Sequence, residues 1–219
     1  MKKPERMLLL CNGEPPSRSL VRALAAKADL IVAADGGANT ARDCGITPGI
    51  IIGDLDSIRP ATRRRFRDSV ILHVPRQDHT DLEKAFDFLA ASGPGSVMVL
   101  GATGRRLDFT LGNLSVLWNY TAFLDITFRG DGWRAMPVGR SLVRAARPGT
   151  VVSLVPFGNC DGVTLRGLRY PLTNASMPVG EIGVSNVVRS SPFTVKVKRG
   201  KMLLVMLEGK GAGRGRVQW

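Results

Sequence analysis

The feature that most constrains the fold is a recurrence. Along the first two-thirds of this 219-residue chain a short apolar run repeatedly ends in an acid, and a stretch with helical spacing follows. Leu30–Ala34 runs into Asp35, Ile50–Ile52 into Gly53, Asp54 and Asp56, Val70–Val74 into Asp78 and Asp81, and Ser96–Leu100 into a Gly/Thr loop that ends at Asp108. Runs such as Ile50-Ile51-Ile52 have no polar alternation, which is how a strand covered on both faces reads. Strands alternating with helices predict a parallel sheet with helices on both sides. In such a sheet the loops after the strands share one edge, where ligands bind. Six of the 15 acids in residues 1–137 are thereby expected on a single rim.

The intervening stretches carry helix signals of their own. Ser17 is a candidate N-cap for a helix that buries Leu20, Val21, Leu24, Ala25 and Ala28. A short helix is expected over roughly 37–44, closed by Gly45. Thr80-x-x-Glu83 has the pattern of a capping box, with Leu82, Ala85, Phe86 and Leu89 as the buried face behind it. Leu111, Leu114, Leu117 and Trp118 mark another helix, and Phe123–Phe128 and Trp133–Val138 two further strands. From Arg140 the texture changes to short apolar runs between Gly, Pro, Asn and Ser turns, the signature of an all-β unit. The expected organisation is an N-terminal parallel-sheet α/β domain over 1–138, a smaller all-β sandwich over 139–209, and a flexible basic tail over 210–219.

Composition narrows the classes of partner. Hydrophobic content of 44% and charged content of 22% suit a globular chain, and no apolar stretch reaches 18 residues, so no membrane partner is expected. Cys11, Cys44 and Cys160 are odd in number and lack metal-ligand spacing, which points to reduced thiols and a cytoplasmic location. The charge is uneven: residues 1–137 hold 18 Lys and Arg against 15 Asp and Glu, a net of +3, and residues 138–219 hold 13 against 3, a net of +10. A basic surface is an electrostatic footprint for nucleic acid, but it also attracts a polyphosphate. With 6% aromatic residues and no zinc-finger or RNP-like segment, nucleic acid is not expected.

The rim chemistry follows from the carboxylates. If the chain stays extended through Asp54-Leu55-Asp56, both acids point to one side, where they repel unless a cation lies between them. A hard divalent ion such as Mg²⁺ meets that need and brings a phosphate-bearing substrate with it. Taken alone, the pair also fits a polar loop with two solvated acids, and Thr80 and Asp81 also fit capping alone. There is no Walker A motif and no Ser/His/Asp or Cys/His set, the histidines being His73 and His79. Carboxylate-held metal with arginines such as Arg105 and Arg106 is the equipment of phosphoryl-type transfer, so a metal-dependent transferase is expected.

These motifs, in order, resemble those of thiamine pyrophosphokinases: Asp35-Gly-Gly-Ala-Asn39, Gly53-Asp-Leu-Asp-Ser57, Gln77-Asp-His-Thr-Asp81 and Gly101-Ala-Thr-Gly-Arg-Arg-Leu-Asp108. The likeness continues through Gly167-Leu-Arg-Tyr-Pro-Leu172 and Val184-Ser-Asn186. It implies transfer of a pyrophosphoryl group from ATP to the thiamine hydroxyl, releasing AMP, on an α/β domain followed by a β-sandwich. It also implies a homodimer with thiamine in a cleft between subunits. By position, Asp54, Asp56 and Asp81 would hold Mg²⁺ and the triphosphate and, with Asp108, form the catalytic set. Asp35, Gly36, Gly37, Asn39, Gln77, Thr80, Thr103, Gly104 and Arg106 would bind the nucleotide. Ser185 and Asn186 would reach the thiamine of the neighbouring subunit. The chain departs from the family pattern at Arg105 and Phe109, where a second Gly and a His are usual, and at Arg76, where an acid is common. A pyrophosphokinase for another hydroxymethyl heterocycle, such as a pterin, shares the same metal chemistry. A non-catalytic thiamine- or nucleotide-binding regulator is the rival from another class.

Overall fold

A computed structural model describes residues 3–181 and 183–208. The chain divides between Asp131 and Gly132 into two compact units. The first contains β1 (Arg6–Leu10), α1 (Arg18–Ala25), β2 (Leu30–Ala34), α2 (Gly37–Cys44), β3 (Ile50–Gly53), α3 (Pro60–Arg65), β4 (Val70–His73), α4 (Asp81–Ala91), β5 (Gly95–Leu100), α5 (Leu107–Ser115) and β6 (Leu124–Gly130). Its strands are all parallel, in the order β6-β5-β1-β2-β3-β4. Because successive strands run the same way, each needs a crossover, and α1, α2, α3 and α4 supply four of them.

The burial follows the sequence pattern. Met7, Leu8, Leu9 and Leu10 of the central β1 are all fully buried, as a strand covered on both faces must be. On one side Leu8 and Leu10 join Val21 and Leu24 of α1, Ala38 and Ala41 of α2, and Phe66 just after α3 in one apolar cluster. On α4 the residues Leu82, Ala85, Phe86 and Leu89 are buried, and the helix packs on β2 and β3. Its N-terminus carries the capping box that the sequence shows: Thr80 Oγ1 accepts from the Glu83 N–H and the Glu83 carboxylate accepts from the Thr80 N–H. One helix differs from expectation. The helix α5 starts early, at Leu107, and gives way to a 3₁₀ turn at Leu117–Asn119. Leu107, Phe109 and Leu111 stay exposed and Leu117 is buried, so the apolar period there does not mark one continuous buried face.

The second unit is all β, as expected. It contains β7 (Trp133–Val138), β8 (Ser141–Arg144), β9 (Val151–Pro156), β10 (Cys160–Arg166), β11 (Leu172–Met177), β12 (Asn186–Val187), β13 (Phe193–Lys196) and β14 (Met202–Leu207). Antiparallel strands run in the order β12-β9-β14-β7 and, in a second sheet, β11-β10-β13-β8. Residues of both sheets, among them Leu154, Met202 and Leu204 against Val163, Phe193 and Val195, fill one apolar core. The division falls earlier than the boundary read near residue 138. Trp133–Val138 groups with the second unit because it pairs along its whole length with β14. The tail expected over 210–219 lies outside the described residues.

The start of the sheet is tied by a charged clamp. The Asp29 carboxylate, in the turn before β2, accepts from the Glu5 and Arg6 backbone N–H groups and from the Arg6 guanidinium at 2.8 Å. The guanidinium bond, then the backbone bond from Arg6, hold the Asp29 carboxyl at about 2, below its ordinary 3.8. A carboxyl depressed on folding contributes stability above its unfolded value, and that contribution disappears as the pH falls through the folded value. Urea unfolding should therefore show the wild type losing stability between about pH 4 and pH 2 by more than Asp29→Asn does, with the difference shrinking in high salt. Parallel pH profiles for the two proteins would show that the clamp contributes nothing.

Candidate active site

Three of the acids expected on the rim meet. Asp35 after β2, Asp54 after β3 and Asp81 at the start of α4 each place a carboxylate oxygen within 4.8 Å of the others. They come from neighbouring elements because β2 and β3 pair in parallel register, Ala34 beside Ile52, so the chain turns out of both strands at one level. Asp35 is 3% exposed, and burial pushes its carboxyl above the ordinary range, opposed by hydrogen bonds from Ser57 and Gly36. Close approach depends on Gly53. At φ 148° it holds a conformation that side chains avoid, and a Cβ there would lie 3.0 Å from both the Asp35 Cβ and an Asp81 oxygen. Three hard oxygen donors in one place are a donor set for Mg²⁺ or Ca²⁺, so the residues present fit such an ion.

The backbone around the group is bent in unusual ways. Among the described residues five non-glycines have positive φ: Asp35, Leu55, Arg105, Asn174 and Ser185. All but Asn174 lie in the motifs read from sequence, and left-handed non-glycine residues concentrate where a fold over-determines a functional geometry. Leu55, at φ 69°, corrects one expectation directly. Asp54-Leu55-Asp56 is not extended, so the period of two does not put both carboxylates on one side. Asp56 is exposed, stands outside the group of three and accepts from Ser57 Oγ at 2.9 Å. Asp35, read from sequence as a nucleotide contact, is in the group.

Asn39 braces this loop. Its Nδ2 donates to the Ser57 carbonyl at 2.9 Å, and its Oδ1 accepts from the Arg59 N–H and from Thr62 Oγ1. The Ser57 N–H in turn donates to Asp35 Oδ1 at 3.3 Å. Gly37 is needed two residues earlier, since a Cβ there would lie 2.0 Å from the Leu10 carbonyl oxygen. Gly36 and Asn39 line a polar hollow of about 500 Å³ together with Asn12, Arg18, Arg59 and Arg105. Arg105 is fixed by a bond from its guanidinium to the Asn12 carbonyl at 3.1 Å.

The other sequence-read residues are placed as follows. Thr80 is occupied by the capping box, and exposed Gln77 donates to the Pro75 carbonyl at 3.3 Å. Thr103 accepts at its carbonyl from the Glu14 N–H, and the Gly104 N–H donates to Thr110 Oγ1. Arg106 and Asp108 are exposed and pair with each other at 2.6 Å, the guanidinium also stacking 4.3 Å over the Phe109 ring. That bond holds the Asp108 carboxyl below its ordinary range. Asp78 is drawn off in the same way by Arg76 at 2.8 Å. The Asn186 amide is buried and spent within its own chain, bonding the Tyr170 N–H, the Tyr170 carbonyl and the Val187 N–H. The exposed Ser185 next to it receives no side-chain partner from this network; its N–H donates to Ser153 Oγ.

The sequence reading missed Lys84. Its side chain is 3% exposed and its ammonium lies 2.9 Å from Asp81 Oδ1 and 3.9 Å from Asp54 Oδ2. The available signal was its spacing, three residues after Asp81 on a helix with apolar neighbours.

The profile described as "Thiamin pyrophosphokinase, catalytic domain" matches residues 21–128, and "Thiamin pyrophosphokinase, vitamin B1 binding domain" matches residues 141–202. The thiamine pyrophosphokinase of Bacillus subtilis is 29% identical over 184 residues, 80% of this chain and 86% of its own length. Thiamine pyrophosphokinase 1 of Oryza sativa subsp. japonica is 31% identical over 201 residues, 78% of this chain and 75% of its own. The fold is similar to the crystal structure of thiamine pyrophosphokinase from Bacillus subtilis, with TM-score 0.81 at 24% identity over 94% of this chain and 100% of that one. It is equally similar to that of yeast thiamin pyrophosphokinase, with TM-score 0.81 at 19% identity over 94% and 87%.

The geometry at Gly53 makes a specific demand. Gly53→Ala should weaken binding of Mn²⁺, followed by electron paramagnetic resonance on the protein alone, by about tenfold or more, as loss of a support around a metal ligand does. It should lower unfolding stability by about 1–3 kcal/mol. Unchanged Mn²⁺ binding in a folded Gly53→Ala protein would mean that the three carboxylates need no such close approach.

Proposed function

The chain belongs to the thiamin pyrophosphokinase family and is an ATP-dependent thiamine diphosphokinase; from that premise we propose that the transfer takes place at the carboxylates of Asp35, Asp54 and Asp81. The observation that carries this reading is their convergence within 4.8 Å at the end of the parallel strands, continuous through Gly36, Asn39 and Ser57 with an arginine-lined hollow. In the reaction the thiamine hydroxyl oxygen bonds to the β-phosphorus of ATP, and the bond from that phosphorus to the α,β-bridging oxygen breaks. AMP leaves with the bridging oxygen, the hydroxyl proton is released, and the two outer phosphates pass intact to thiamine.

Asp35, Asp54 and Asp81 would hold Mg²⁺, which when bound neutralises phosphate charge and orients the triphosphate. Everything else falls to the chain. Arg18, Arg59 and Arg105 line the polar hollow and supply guanidinium donors for phosphate oxygens, which Arg matches with its planar fork. Asn39 and Ser57 hold the Asp54 loop against Asp35, so the carboxylates stay aimed before ligand arrives. Arg106 and Asp108, now paired, belong in the proposal as a unit whose guanidinium is available once a phosphate competes for it. Gln77, Thr80, Thr103 and Gly104 act by shaping the loops and the α4 terminus. Thiamine is taken by the second unit, with Ser185 as a contact. A homodimer in which that contact crosses to the other subunit belongs to the same proposal. So does a cytoplasmic location, which the three buried, unbridged cysteines support.

The test is product analysis with purified protein, Mg²⁺, ATP and thiamine. The expected result is AMP in step with thiamine diphosphate. ADP with thiamine monophosphate would replace pyrophosphoryl by phosphoryl transfer. Turnover with a hydroxymethyl pterin but not with thiamine would keep the chemistry and change the acceptor.

A further inference from the structure

A lysine with a 3% exposed side chain is unusual, because an ammonium leaves water only at a large cost unless it is paired. Lys84 has the partners that make this tolerable, and they are two of the carboxylates assigned above to the metal. Its ammonium donates to Asp81 Oδ1 at 2.9 Å and lies 3.9 Å from Asp54 Oδ2. A charge in this place is not incidental to the helix. Three carboxylates within 4.8 Å of one another repel, and a single positive charge against two of them lowers that repulsion without occupying all three. Lys84 also lines a hollow of about 440 Å³, with apolar Ile52, Leu72 and Phe88 and charged Arg76 and Asp87 on its other walls. That hollow gives the side chain room to withdraw from Asp81, with the Asp87 carboxylate on its wall.

We propose that Lys84 is a built-in counter-cation and positioning residue: it holds Asp54 and Asp81 together in the metal-free enzyme and yields Asp81 when a divalent ion binds. The proposal rests on the reading of the carboxylates as the metal site and goes beyond it. A fixed positive charge competes with the arriving ion, so it weakens metal affinity while keeping the ligands in place. An enzyme whose metal arrives together with the nucleotide gains from both effects, because the free site neither collapses nor holds bare metal tightly.

Two measurements on Lys84→Met, which keeps an unbranched stem and removes the charge, separate this from a packing role. The first is Mn²⁺ binding to the protein alone. Removal of a unit charge a few ångströms from an ion should tighten binding by about tenfold. The second is thermal unfolding with and without Mg²⁺: Lys84→Met should be destabilised without Mg²⁺ and recover most of the loss in millimolar Mg²⁺, whereas the wild type responds little. In turnover, kcat should fall and the Mg²⁺ concentration giving half the maximal rate should fall too, with the KM for thiamine unchanged. A variant that binds Mn²⁺ as the wild type does, or whose instability Mg²⁺ does not relieve, overturns the proposal and leaves the metal site standing. Absence of Mn²⁺ binding by both the wild type and a folded Lys84→Met protein overturns both. Should Lys84→Met not fold even with Mg²⁺, the wild type decides through site-resolved reductive methylation: the Lys84 rate should rise several-fold on adding Mg²⁺, and an unchanged rate overturns the proposal.

Discussion

Mutual repulsion of carboxylates is the constraint on which the site depends. Asp35, Asp54 and Asp81 approach within 4.8 Å, an arrangement that solvent-exposed side chains would relax by rotating apart. Here the backbone prevents that. Asp35 is buried at positive φ, Gly53 holds φ 148° in the gap between Asp35 and Asp81, and Asn39 clamps the loop that carries Asp54. The left-handed Asp35 is costly alone, at about 1–3 kcal/mol for a strained backbone residue, and persists because the sheet beneath is rigid. Met7 to Leu10, Val32 to Ala34 and Ile51 to Ile52 form a buried parallel core whose strand ends are fixed in register. The apolar sequence runs therefore serve the chemistry by determining where the acids emerge.

Much of this was legible because it depends on period and order. Buried parallel strands leave uninterrupted apolar runs, and the acid after each run is placed by the strand rather than by its own surroundings. Asp35, Asp54 and Asp81 could be named for that reason. Asp56 was read with Asp54 and Asp81 as a metal ligand, but its direction hangs on one dihedral: Leu55 turns left-handed, and nothing in Leu as a residue type announces that. Asp78 and Asp108 emerge after strands as well, but arginines two positions earlier take them into ion pairs. In the second unit, Leu172–Met177 has no apolar alternation and meets β10 with register shifts, so the run gives no strand signal. Asn186 reads as a ligand residue by motif, and its amide also bonds the backbone of Tyr170 and Val187, a structural role the motif does not announce. Lys84 was hidden by the opposite rule, since a lysine between apolar helix positions ordinarily reads as solvent-facing.

The final distribution of charge explains how one rim serves two kinds of ligand atom. Oxygen donors are concentrated in Asp35, Asp54 and Asp81, where a hard cation fits, and Lys84 leaves that group short of full neutrality. Guanidinium groups line the adjoining hollow at Arg18, Arg59 and Arg105. Several acids outside the group of three are paired: Asp43, on the wall of the same hollow, is held by Arg42 and Arg59, Asp78 by Arg76, and Asp108 by Arg106. These exposed pairs contribute little to stability, as surface ion pairs generally do. Their consequence is electrostatic: each pair sets a guanidinium against a carboxylate that would otherwise stand as a bare negative charge. On the proposed reading a tetra-anionic triphosphate would meet separated regions, carboxylates on one side for its metal and guanidiniums on the other for its oxygens. Segregation of this kind, rather than any single residue, is what the proposed site would rely on to accept an anion beside a sheet edge that carries six acids.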